Sequence, residues 1–93
     1  MKITRPNQPI TQTITTIIPY TIKEDDGTKT EATAKIITEK TQGVAKTTVY
    51  VELKGYMRRT REQDKEPSIK EVEEDIAKFH HDLTEDAANF LPF

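Results

Sequence analysis

The sequence predicts an α+β domain, a three-stranded antiparallel β-meander followed by one C-terminal amphipathic helix packed on one face of the sheet. Two observations carry this. Residues between Ile10 and Lys54 alternate apolar with polar in runs broken at Gly27 and Gly43, the period of a strand with one buried face. After Ser68 the period changes, and apolar residues recur every third or fourth position, as on a helix.

The first strand spans residues 10–24. Ile10, Ile14, Ile18, Tyr20 and Ile22 share one parity, and Thr11, Thr13, Thr15, Thr21 and Lys23 the other. β-branched residues suit a pleated surface. Pro19 offers no ladder donor, so this strand lies at an edge or is bulged there.

Asp25, Asp26 and Gly27 form the first turn. A two-residue turn would set Ile22 against Glu31. A three-residue loop sets Tyr20 against Ala32 and Ile18 against Ala34, with Gly27 in the left-handed position. The second strand runs from about Thr28 to Lys40. A two-residue Gln42-Gly43 turn then pairs Ile36 with Val49, Ala34 with Val51 and Ala32 with Leu53. Small residues on the middle strand leave a trough for a helix.

The meander is expected over 10–57, after a flexible N-terminal segment 1–9. Gly55 and the arginines after it open a charged link, 58–67. The helix is expected over 68–91. Ser68 and Glu71 make a capping box, and Ile69, Val72, Ile76, Phe79, Leu83, Ala87 and Phe90 form one stripe. Asp82-Leu83-Thr84-Glu85 would kink it or begin a second helix.

Ninety-three residues hold one domain, and 33% apolar against 32% charged residues mean a thin core. A thin core favours a second copy or a partner surface. The absence of cysteine removes disulfides and thiolate metal sites and fits a reducing compartment. No run has the length of a signal peptide or a membrane span, so the expected location is cytoplasmic, with no membrane partner. Residues 66–93 carry eight acids against Lys70 and Lys78, a net of −6, which leaves +4 on residues 1–65.

Chemistry-bearing patterns are sparse. His81 and Glu85 share a helix face, but a metal site needs more ligands, and His80 and His81 read as a solvated flank. Carboxylates such as Glu71 and Asp75 read as a solvated helix face. The one serine is a cap, the three glycines are isolated, and Asp25-Asp26-Gly27 is too short for a calcium loop. The expectation is no enzyme, no cofactor and no metal.

Two binding readings remain. The leading one is a small protein-interaction domain that self-associates as a homodimer, in the manner of a phage or mobile-element accessory protein. Parity puts Ile17, Ile37 and Tyr50 on the sheet face away from the helix, as a patch for a protein partner. The edge of the first strand is a second docking place. Phe93, beyond Pro92, either folds back to cover the sheet edge or docks on a partner or second subunit. The alternative is nucleic-acid binding through Lys54, Arg58, Arg59 and Arg61, with Tyr50 and Tyr56 nearby for stacking. Glu62, Asp64 and Glu66 stand against it as neighbours that pair with the arginines.

Overall fold

The computed structural model describes residues 1–5, 7 and 9–90, with side chains through Glu85. The chain forms β1 (Thr11–Lys23), β2 (Lys29–Thr41), β3 (Val44–Leu53), β4 (Tyr56–Gln63) and α1 (Ile69–Phe90). All four strands lie antiparallel in the order β1-β2-β3-β4. The meander therefore has four strands, not three, and most of the expected link 58–67 is strand.

The fourth strand follows from a turn that repeats the second one. Gln42 and Gly43 have φ of 51° and 80°, and Lys54 and Gly55 have 52° and 81°. Positive φ at both central residues matches the right-handed twist of the flanking strands, and glycine takes the second position without a Cβ penalty. Leu53 thus pairs with Tyr56 and Glu52 with Met57.

A bulge hides the strand from a parity reading. Tyr50 pairs with Arg59 and Val49 with Arg61, which leaves Thr60 as the extra residue. Its hydroxyl lies 3.4 Å from the Val49 carbonyl. In a straight strand Arg58 and Arg61 would face opposite ways. With Thr60 bulged, both lie on the face that α1 covers.

The first two hairpins have the expected registers. Tyr20 faces Ala32, Ile18 faces Ala34, and Ala34 faces Val51. At the first turn the Gly27 amide donates to the Glu24 carbonyl at 3.0 Å, and the Glu24 amide to the Thr28 carbonyl at 2.8 Å. Glu24 and Thr28 are thus a hydrogen-bonded pair. Such pairs alternate along an antiparallel ladder, so the even residues of β1 bond to β2. The odd ones, Pro19 among them, turn their backbone groups to the open edge. Pro19 costs the sheet nothing because its missing amide faces outward.

The helix starts as the capping box requires. The Glu71 amide donates to Ser68 Oγ at 3.1 Å and the Ser68 amide to Glu71 Oε1 at 3.0 Å. α1 is one continuous helix through Asp82–Glu85. Val72, Ile76 and Phe79 are buried against Ala32, Ala34, Ile36, Val49, Val51 and Leu53. Ile18, Tyr20, Ile22 and Leu83 pack at the margin. Ile69, the first residue of the stripe, stays exposed. Thr38 and Thr47 are also buried, their hydroxyls 3.1 Å apart, so neither is left unpaired. Among the described residues no helix is long and apolar enough to cross a membrane.

Candidate interaction surface

One helix covers one face. The other is a regular array read from the pairings: Pro19–Thr33–Glu52–Met57, then Ile17–Lys35–Tyr50–Arg59, then Thr15–Ile37–Thr48–Glu62. Ile17 is 62% exposed and Met57 63%. With Thr33, Lys35, Tyr50 and Glu52 they line a shallow hollow of about 190 Å³. The structure thus brings Ile17 and Tyr50 together as expected. Ile37, half-buried, sits one row along and outside the hollow. Phe93 lies outside the described residues.

Met57 is the member of the patch that the sequence reading missed. The Lys54-Gly55 turn was the available signal, because it carries the parity of Glu52 across to Met57. Lys35, Glu52, Arg59 and Glu62 ring the apolar residues with charges of both signs, the anatomy of a contact surface with a polar rim. On this face Glu62 accepts from Lys46 at 3.0 Å and lies 3.4 Å from Arg59. The Lys46 ammonium holds the Glu62 carboxyl below the ordinary range.

The basic cluster is not one surface. Arg58 faces the helix by its pairing with Val51, and the bulge turns Arg61 to the same side, where Glu71, Asp75 and Asp82 recur at helical spacing on a flank of α1. Arg61 Nε and Nη2 donate to the two oxygens of Asp75 at 2.8 and 2.9 Å, and Nη1 also reaches Glu71. Arg58 Nη1 donates to Asp82 at 2.6 Å, and its guanidinium lies 4.5 Å from the centre of the Phe79 ring. Glu71 and Asp75, expected in a solvated face, therefore form a seam with β4. Arg59 alone of the three arginines points to the bare face, and Lys54 sits in the β3–β4 turn.

His80 also has a structural partner. Its Nε2 lies 2.8 Å from Glu24 Oε1, which accepts from Thr30 as well, so helix and first turn are tied together. No spacing rule links positions 24 and 80, and only the tertiary packing shows the pair. His81 lies 3.4 Å from Glu85 on the exposed helix face. No group of three or more metal-ligating side chains occurs among the described residues.

The comparisons with known proteins add no relative. No family model matches the chain, and no curated protein or solved structure is significantly similar to it. The surface must be read from its own geometry.

Two expectations follow from the seam. Arg61 is 22% exposed and bidentate on an Asp75 that is 13% exposed. Arg61→Ala should cost about 2 kcal/mol in urea unfolding, since a charge-assisted pair is lost. Arg59→Ala should cost under about 0.5 kcal/mol.

The second concerns acid. Arg58 holds Asp82 below its ordinary 3.8. The Ser68 amide, aided by Arg61, holds Glu71 below 4.5. Thr30, then His80, lowers Glu24 likewise. A carboxyl depressed on folding contributes its stability above the unfolded value and loses it as pH falls through the folded one. Thermal midpoints should be flat above about pH 5.5 and fall progressively below it, because the unfolded chain begins to take up protons about one unit above its carboxyl values. A midpoint that holds or rises on acidification below 3.8 would contradict the seam.

Proposed function

We propose that the chain is a small non-enzymatic protein-interaction domain that self-associates and docks protein on the bare face of its sheet. The observation that carries this is the hollow formed by Ile17, Tyr50 and Met57, which no part of the described chain covers. Exposed Ile17 and Met57 beside a half-buried Tyr50, inside a rim of mixed charge, are what a protein contact uses. The alternative, nucleic-acid binding, has less to work with. Arg58 and Arg61 are held by helix carboxylates, and Arg59 is flanked by Glu62.

The test places a benzophenone side chain at position 50 and, as a control, at position 74 on the exposed helix face. Irradiation in an extract of the native host should give discrete adducts from position 50 and none of the same mass from position 74. Ile17→Lys should remove them while leaving the far-ultraviolet circular dichroism unchanged. Identical adducts from both positions would overturn the face as the docking site. In filter binding at about 50 mM salt, single- and double-stranded oligonucleotides should not be retained, and salt-sensitive retention would reverse the order of the two readings.

A further inference from the structure

The two edges of the sheet are built differently. β4 is guarded, with a bulge at Thr60 and Arg58, Arg59, Arg61 and Glu62 along it, the devices that stop edge-to-edge pairing. β1 has almost none of this. No residue from Ile10 to Ile22 is charged, in a chain where 32% of residues are. Thr11 to Ile17 are exposed without exception, Ile14 at 50% and Ile17 at 62%. Ile10, just before the strand, is 62% exposed.

We infer that two copies of this chain pair antiparallel along the Thr11–Ile17 edge of β1, about a two-fold axis at Ile14. The inference draws on the reading of the chain as a self-associating domain but not on the sheet-face site. Three features converge on this register. The edge-facing residues are the odd ones, so hydrogen-bonded pairs must join odd to odd, Thr11 with Ile17 of the other copy and Thr13 with Thr15.

The second feature is the isoleucines. Ile10, Ile14 and Ile18 stand at equal intervals about the axis, so Ile14 meets its own mate and Ile10 meets Ile18. Cross-strand β-branched pairs on one face stabilise such a ladder. Residues directly opposite in a ladder share a face, which here is the helix side.

The third feature is the prolines. Pro9 and Pro19 are equidistant from Ile14, and both have the edge-facing parity. Each lacks the amide a ladder needs, so together they end the pairing at both sides. Any other even sum of paired positions brings a proline within the Thr11–Ile17 span or separates the isoleucines.

The uncharged strand selects a second copy as occupant. A two-fold antiparallel ladder sets each segment against itself, where any charge near the axis would meet its like, and β1 carries none between Ile10 and Ile22. The product is one continuous sheet with both helices on one side and the two bare faces joined.

Sedimentation equilibrium of the full chain, from low micromolar to several hundred micromolar, should show a monomer–dimer equilibrium. Thr15→Pro removes one edge-facing amide, as Pro19 already does without loss to the β1–β2 ladder. Ile14→Lys sets like charges on the axis. Each should weaken dimerisation roughly tenfold or more, and Ile14→Lys covers the case in which the proline variant fails to fold. Tyr50→Glu, which alters only the bare face, should leave the dimer intact.

In a mixture of labelled and unlabelled chains, intermolecular Hα–Hα contacts should join Gln12 to Thr16 and Ile14 to Ile14. A monomer at every concentration overturns the inference. So does a dimer that survives both edge variants, or intermolecular contacts in another register. Loss of the dimer on Tyr50→Glu alone would overturn the edge inference while supporting the face.

Discussion

A sheet has two faces, and the described residues of this chain supply one helix to cover them. Everything else in the structure answers to that shortage. Small side chains at Ala32 and Ala34 let α1 sink between larger residues on the neighbouring strands, so Val72, Ile76 and Phe79 reach full burial with few residues. The turns lock which parity faces the helix, because a slip of one residue would expose the whole apolar set. The same lock delivers Ile17, Tyr50 and Met57 to the uncovered side. The patch is thus a by-product of the register that makes the core.

The seam between β4 and α1 shows how a thin core is extended by charge. β4 offers the helix no buried apolar side chain; its helix-side positions are an exposed Tyr56, Arg58, Arg61 and Gln63. The bulge at Thr60 brings Arg58 and Arg61 to the same side, and Glu71, Asp75 and Asp82 meet them at helical spacing. Such pairs are directional and locate the helix laterally, whereas the apolar contact on β2 and β3 is less specific about position. The Glu24–His80 contact does the same at the opposite flank. The helix is held by burial in the middle and by polar ties on both sides.

Much of this was legible in the sequence, and the failures are local. The first two turns, both registers, the cap at Ser68 and the buried Val72, Ile76 and Phe79 follow from periodicity and turn chemistry, which are short-range signals; the side chains of Ala87 and Phe90 lie outside the described residues. β4 escaped because its bulge breaks the alternation and its helix-side positions hold Tyr56, Arg58, Arg61 and Gln63 in place of aliphatic residues. The Lys54-Gly55 turn, of the same form as Gln42-Gly43, was the one readable clue. The arginine cluster looked like a single basic surface because sequence proximity says nothing about which face a bulged strand presents. The tie between Glu24 and His80 depends on tertiary packing alone. Ile17 and Tyr50 were placed correctly because they lie on strands whose register the turns fix.

The edges complete the picture. One is closed by a bulge and charges, and the other is uncharged, regular and bracketed by prolines. Among the described residues the sheet is finished on one face and one edge and open on the others. Amide hydrogen exchange as a function of protein concentration tests that most directly. The amides of Ala34, Ile36 and Val51 should be slow at every concentration. Those of Thr11, Thr13, Thr15 and Ile17 should exchange fast in dilute solution and slow as concentration rises, because the proposed second copy would bond them. Rates at these four positions that do not change with concentration would contradict the account.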